Sequence, residues 1–195
     1  MSTLHVENLK GLSSGGNANK IIVPSGQTLT APGHLIQVGS ATRQTYTTFT
    51  SSVYVTSGLE LSFTPKFANS KLHVMCTSTL AAYANAATVG AVFKRTIGGS
   101  VSYSPLGTTG HGLINTPDGA TMAAYCGNDG AGNNRQTPFT MEWYDTTHNT
   151  TGAITYTVMV ASNSGSSSYV CAMGGLGDNT GYHIVSTLSV REIAQ

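Results

Sequence analysis

Hydrophobic residues recur at every second position in several runs after residue 34, and this period of two is typical of β-strands. The positions between them are mostly polar, so each run has one apolar and one polar face. The apolar positions of the clearest runs are Leu59, Leu61 and Phe63; Leu72, Val74 and Cys76; Phe139, Met141 and Trp143; and Ile154, Tyr156, Val158 and Val160. Strands of this kind bury one face against a second sheet, which predicts an all-β fold.

Three segments depart from the alternation and give other expectations. The Ala content of Thr79–Ala87 favours a short helix, although an irregular crossing fits its length equally well. The segment Ser100–Thr137 is Gly-rich and weakly periodic, so we expect two long excursions that carry one short strand near Met122–Cys126. The last predicted strand, Tyr182–Ile193, has apolar residues on both sides, which predicts that both of its faces are partly covered.

Clusters of turn-forming residues separate the runs, among them Gly98-Gly99, Asp118-Gly119, Asn128-Asp129-Gly130 and Asn163-Ser164-Gly165. Short strands at regular spacing between Gly-rich turns are typical of sandwiches and barrels. We therefore expect residues 34–195 to form an antiparallel β-sandwich head of the jelly-roll type.

Residues 1–33 have a different pattern, in which short apolar groups stand between turn formers such as Ser14-Gly15-Gly16-Asn17. No group is long enough to fold alone, whereas several chains wound together could share one core. The sequence thus predicts an extended N-terminal oligomerisation stem, and a flexible tail is the alternative. The residues expected to form the shared core are Leu4, Val6, Leu9, Ile21, Ile22, Val23 and Leu29.

The chain carries little charge: 9% of its residues are charged and the formal net charge is +1, against a usual charged fraction of about 25%. Without a basic run, binding to nucleic acid through phosphate contacts is not expected. Low charge also gives copies of the chain little reason to repel one another. We therefore expect much of the surface to be covered by sister chains or by a larger assembly.

Cysteine usage and the chain start indicate neither a metal site, nor secretion, nor membrane insertion. Cys76, Cys126 and Cys171 are odd in number and lack a C-x-x-C spacing, which disfavours a disulfide framework or a zinc site. Met1–Glu7 lacks the basic and apolar regions of a signal peptide, and no run is apolar enough to cross a membrane. We expect no cofactor and a soluble chain made in a cytoplasm.

Candidate catalytic residues are few and scattered. Ser102 or Ser104 could combine with His111, Asp118 and Asp129 as a nucleophile set, but a triad is defined by geometry and not by composition. Solvated loop residues are the simpler interpretation of this group. Asp145-Thr146-Thr147-His148 offers two metal-ligand types on one turn, which is too few for a site of its own. We predict no catalytic, metal-binding or cofactor-binding residues.

The long excursions carry the residues that we expect to face a receptor: Tyr103, His111, Tyr125, Asn128 and Asp129. Aromatic rings beside amide and hydroxyl groups suit the binding of saccharides, so a surface glycan is the partner class that these loops fit. Ordinary packing of the loops is the alternative.

The chain resembles a family of small β-sandwich virion proteins of marine tailed phages, especially cyanophages. The similarity fades between about Ser100 and Thr137 and lies mainly in the following segments: Ser2–Leu9 (STLHVENL), Ile22–Leu29 (IVPSGQTL) leading into Ala31–Val38 (APGHLIQV), Leu61–Pro65 (LSFTP) with Asn69–Leu72 (NSKL), and Ser186–Gln195 (STLSVREIAQ).

The resemblance implies a structural protein of the phage particle, assembled in the host cytoplasm, which is not an enzyme. It implies in particular a homotrimeric tail or head fibre, whose stem docks onto other virion proteins while the head loops contact the host. Two alternatives remain open at this point. One is a capsid decoration protein that stabilises the shell, and the other is an enzyme that degrades host polysaccharide.

Overall fold

The computed structural model describes residues 13–16, 31–82, 88–104, 124–127, 135–162, 167–170, 172–173, 182–183 and 185–195. The chain divides into two units, Met1–Ala31 and Pro32–Gln195. The seven apolar residues predicted for the stem core, from Leu4 to Leu29, lie outside the described residues.

The second unit is built from β-strands. In chain order they are β1 (Leu35–Arg43), β2 (Thr47–Phe49), β3 (Val55–Phe63), β4 (Lys71–Ala82), β5 (Thr88–Ile97), β6 (Ser100–Ser104), β7 (Ala124–Gly127), β8 (Arg135–Asp145), β9 (Ile154–Ser162), β10 (Ser168–Val170), β11 (Ala172–Met173), β12 (Tyr182–His183) and β13 (Ser186–Ile193).

Two antiparallel sheets contain most of these strands. In the first sheet β8 pairs with one edge of β4 from Leu72 to Ala82, while β13 and β10 share the other edge. β1 pairs with β13, and β2 pairs with β10. The second sheet has the order β3-β9-β5, and β6 and β7 share the outer edge of β5. Each sheet therefore has four strand positions.

Numbered along the chain, these eight positions have the order 1-8-3-6 in the first sheet and 2-7-4-5 in the second. This order of two interleaved Greek keys is the jelly-roll arrangement. The antiparallel jelly-roll sandwich predicted from the alternation of residues is thus confirmed.

The core fills the space between the sheets, and the predicted alternation identifies the side chains that form it. On β4, Leu72, Val74 and Cys76 are buried against the second sheet. β9 lies in the middle of the second sheet and is buried on both faces, because Thr157 and Met159 on its outer face are also covered. Burial of apolar surface in this layer is the main force that holds the two sheets together.

Some predicted boundaries were wrong. Thr79–Ala82 is not helical but continues β4, where its backbone pairs with β8 and β10. The segment from Ser100 to Ser104 forms β6, because Gly98 and Gly99 both have positive φ angles of 54° and 87°. Two such residues in succession make the tight turn that suits a hairpin, and they fold β6 back onto β5.

Two other strand boundaries differ from the prediction. The short strand expected near Met122–Cys126 is β7, at Ala124–Gly127. The last predicted strand is divided, since β12 pairs with β11 in a small separate sheet while β13 joins the first sheet. Tertiary pairing thus fixes strand ends that local alternation leaves open.

Arg43 covers a bulge at the edge of the second sheet. The pairing of β3 with β9 shifts register between Thr56 and Glu60, and Gly58 within the bulge has a φ angle of 78°. A Cβ atom at Gly58 would lie 2.5 Å from the Arg43 guanidinium, which donates to the Gly58 carbonyl oxygen at 3.3 Å. The bulge therefore needs a glycine for its backbone conformation, whereas the flexible end of the Arg43 side chain could move away from a Cβ atom.

Candidate functional site

The two ends of the sandwich differ in construction. At one end Leu35 pairs with Ile193 in the first sheet, and Ile97 pairs with Ser100 in the second. The Gly33 amide donates to the Ala194 carbonyl oxygen at 2.9 Å. We call this the junction end, since it holds both the start of the second unit and the end of β13.

The opposite end, which we call the loop end, lies where β4 stops at Ala82 and β9 stops at Ser162. The Ser168 hydroxyl donates to the Ser162 Oγ at 3.0 Å and so links the two sheets. Strands that flank residues 83–87, 128–134 and 163–166 stop at this end, and β6 runs toward it before residues 105–123. The connections after β4, β7 and β9 therefore leave the sandwich on the side away from Pro32, while residues 105–123 join the ends of β6 and β7 that lie opposite Phe93 and Ala91 in the middle of β5.

A buried carboxylate, that of Glu192 on β13, holds the junction end of the first sheet. It accepts hydrogen bonds from the amides of Lys66 and Phe67 at 2.9 Å each, from the Ser70 hydroxyl at 2.8 Å and from Gln37 Nε2 at 2.7 Å. Burial acts to raise the pKa of this carboxyl, but the four donors outweigh it and hold the pKa below its usual value. Glu192 thus fixes the connection between β3 and β4.

A second buried carboxylate, that of Asp145 at the end of β8, joins the two sheets. Arg95 on β5 donates to it at 2.6 Å, and the Tyr156 hydroxyl on β9 donates at 2.8 Å. The Thr147 amide adds a bond of 3.0 Å. Burial raises the pKa of Asp145, yet the bond from Arg95 and those from Thr147 and Tyr156 hold the pKa below its usual value. The guanidinium also stands 5.4 Å from the centre of the Trp143 ring.

His148, in the connection after β8, adds a third buried polar group to the junction end. Its Nε2 lies 3.2 Å from the Phe67 carbonyl oxygen. Because a carbonyl only accepts, Nε2 carries the hydrogen, and Nδ1 has no partner among the described residues. The connections after β3 and after β8 are thereby tied to each other.

Acid is expected to destabilise the sandwich through these two carboxylates. Their usual pKa values are 3.8 for Asp145 and 4.5 for Glu192, and the fold lowers both. The stability that they contribute is therefore complete above about pH 5 and is lost as the pH falls through their folded-state pKa values. Thermal melts between about pH 7 and pH 2 should show a flat melting temperature that falls below about pH 5.

The matched control for this pH profile is the double variant Asp145→Asn with Glu192→Gln. It should melt at a lower temperature near neutral pH and lose less on acidification than the parent chain does. An equally steep acid loss in the double variant would assign the effect to other groups.

The residues predicted to face a receptor are only partly within the described residues. Tyr103 lies in β6 opposite Lys94 and not in a loop, and its ring packs against a small cluster around Tyr54 and Met159 on the outer face of the second sheet. Tyr125 lies in β7. His111, Asn128 and Asp129 lie outside the described residues.

The groups considered for catalysis or metal binding have structural partners where they are described. Ser102 accepts a hydrogen bond from Arg95 Nε at 3.0 Å, and Ser104 is buried. Asp145 is bound to Arg95, and His148 to Phe67. Within the described ranges no three metal-ligating side chains come together. His111, Asp118 and Asp129 lie outside those ranges.

Sequence reasoning missed the two carboxylate networks, although one signal was present. Glu192 stands at the next alternate position after Leu188 and Val190, whose side chains point into the core. Arg95 follows Ala91 and Phe93 in the same way. A charged residue at an alternate position that is otherwise apolar indicates a buried polar contact, because an unpaired charge there would be costly.

In the part of the chain that is described, no helix is long and apolar enough to cross a membrane.

Fold and topology define this chain as a β-sandwich protein of the jelly-roll class. No protein-family model matches its sequence, and no curated protein matches it. Among solved structures it is similar to infectious bursal disease virus of the Gx strain, with 14% identity and a TM-score of 0.37 over 93% of this chain and 42% of that chain.

Particles derived from the same virus give similar values. The infectious bursal virus derived T=1 particles match with 13% identity and a TM-score of 0.37, over 90% of this chain and 40% of that chain. The VP2 subviral particle matches with 13% identity and a TM-score of 0.31, over 90% and 42%. This chain thus spans about two fifths of the length of those viral chains, and the similarity is too low to indicate a shared function.

Proposed function

We propose that this chain is a non-enzymatic structural subunit of a phage particle, a homotrimeric tail or head fibre whose loop end contacts the host surface. The observation that carries the proposal is the polarity of the sandwich. The second unit begins at the junction end, beside the end of β13, and the connections after β4, β7 and β9 leave from the loop end. An appendage needs such a polarity, with attachment at one end and contact at the other.

The construction of the junction end supports attachment there. Glu192 and Asp145 fix the connections after β3 and β8 with charge-assisted hydrogen bonds, which are stronger than neutral ones. An end whose connections are fixed in this way is suited to attachment, whereas loops in general tolerate changes in sequence and often carry recognition. The resemblance of Ser2–Leu9 and Ser186–Gln195 to phage virion proteins supports the same assignment.

Association of copies is supported by the composition. Charged residues are 9% of the chain, and low charge leaves little repulsion between copies. Several heads on one particle would also bind a surface more strongly together than each head does alone. A weak contact between a single head and the host surface is therefore sufficient for the particle to attach.

Immunogold labelling of purified particles with an antibody against this chain tests the proposal. We expect label at appendages, and light scattering of the full chain should give the mass of three copies. Label distributed over the whole shell would favour a decoration protein, and a monomer in solution would contradict the trimer. Release of oligosaccharide from host envelope glycans by the pure protein would contradict its non-enzymatic character.

A further inference from the structure

The outer face of the first sheet carries rows of cross-strand neighbours near the junction end. One row runs from Val38 through Arg191 and His73 to Tyr144. Leu35, which pairs with Ile193, lies next to this row on the junction side. The next row toward the loop end contains Met75 and Glu142, and the one after that consists of Thr42, Thr187, Thr77 and Thr140. The side chains in these rows are therefore mostly uncharged.

Large apolar side chains are exposed at both edges of this face. Leu35 and Val38 on the β1 edge are 49% and 56% exposed, and Tyr144 on the β8 edge is 52% exposed. On the outer face of the second sheet Val101, at 46%, is the exposed large hydrophobic residue within the described strands. Exposed apolar groups that recur on one face indicate a surface used for association.

The Tyr144 side chain is held in place by its neighbours. Its ring stacks on His73, with 4.4 Å between ring centres and 13° between their planes, and the Lys71 ammonium group lies 5.6 Å from the ring centre. His73 in turn lies 3.3 Å from Glu142 Oε2. An aromatic ring that is already ordered loses little conformational freedom when it is covered, so it is a suitable anchor for a contact.

The carboxylate and one of the cations of this face lie at different strand positions. Glu142 lies on β8 at one edge, while Arg191 lies on β13 next to the β1 edge, two strand positions away. Lys71, the other cation, lies on β4 and stands over the Tyr144 ring of its own chain. If the β8 edge of one copy meets the β1 edge of another, the acidic side chain of one faces the basic side chain of the other. The apolar groups at the two edges meet in the same arrangement.

We infer that the β8 edge of one copy packs against the β1 edge of the next, with a second copy of this chain as the occupant. Tyr144 then covers Leu35 and Val38 of the partner subunit, and Glu142 faces Arg191 of the partner subunit. Such a contact is head-to-tail, so it can repeat and close into a ring. The closure at three copies rests on the proposed function, while the contact itself rests on this face.

Charge reversal in the full chain tests the contact. Glu142→Arg or Arg191→Glu alone places like charges together, and each should weaken association by roughly tenfold or more in sedimentation equilibrium. The double variant restores an opposite pair and should return to within about threefold of the parent chain, since buried or half-buried charge pairs couple in this way.

Two controls separate this contact from a general effect of charge or folding. Glu60→Arg changes an exposed carboxylate on the outer face of the second sheet and should leave association unchanged. Thermal melts show whether each variant is folded. Should a charge variant unfold, Tyr144→Thr provides the second variant, and it should also weaken association.

The outcomes distinguish the contact from the proposed function. An oligomeric parent chain whose association none of the variants at Glu142, Arg191 and Tyr144 weakens would overturn this contact and leave the fibre proposal standing. An equal loss with Glu60→Arg, or no recovery in the double variant, would also overturn it. A monomeric parent chain would overturn both.

Discussion

Replacement of Arg95 by Met is expected to lower the free energy of unfolding by about 3 to 5 kcal/mol. The substitution keeps an aliphatic chain beside Trp143 but removes the cation 2.6 Å from Asp145. Asp145 is fully buried, so its carboxylate would be left between the two sheets without a cation, with only the bonds from Tyr156 and Thr147. Urea unfolding, followed by the fluorescence of Trp143, measures the change.

Lys94→Met provides the matched control for this variant. Lys94 is the neighbour of Arg95 on β5 but faces outward, where it is opposite Thr157 and Tyr103. A change on this partly exposed face should stay within about 0.5 kcal/mol. A loss of less than about 1 kcal/mol in the Arg95 variant would mean that the ion pair does not join the sheets as its geometry indicates.

Glu192→Gln is expected to cost about 3 kcal/mol, because an amide cannot accept from all four donors that the carboxylate satisfies. The amides of Lys66 and Phe67 would lose charge-assisted bonds, and the new NH₂ group would face other donors. The effect should be local as well as global. The rate of hydrogen exchange should therefore increase more, from the parent chain to the variant, at these two amides than at amides in the centre of β4.

Glu60→Gln is the comparison for this variant, since Glu60 is an exposed carboxylate on the outer face of the second sheet. Its unfolding free energy should change by less than about 0.5 kcal/mol, as is usual for substitutions at exposed positions. If the Glu192 variant is no less stable than the Glu60 variant, the connection between β3 and β4 is held by other contacts.

The strands of the core could be predicted because the apolar positions that face the opposite sheet have a local signal. Leu72, Val74 and Cys76 alternate with Lys71, His73 and Met75 on the outer face, and burial on one face requires that period. The hairpin at Gly98-Gly99 also has a local signal, because two successive glycines suit its positive φ angles. Fold class followed from such local patterns.

Partners across the fold could not be predicted in the same way. Glu192 is bound by residues 66 to 70 and by Gln37, and the bond between Gln37 and Glu192 joins positions 155 residues apart. Alternation indicates that Glu192 points inward, but which donors meet it depends on the packing of β1 and β13 against β4. The same holds for Tyr103, whose strand pairing gives it a neighbour, Lys94, that its own segment does not specify.

The position of β13 has a consequence for synthesis on the ribosome. β13 lies between β1 and β4, so among the described strands the hydrogen-bonding neighbour of β1 in its sheet is made only when Ser186–Ile193 is synthesised. Pairings over such a separation form slowly, and the unpaired edges that wait for them can associate wrongly. A nascent chain that stops before β13 should therefore need a chaperone, and the synthesis of β13 should start the closure of the first sheet.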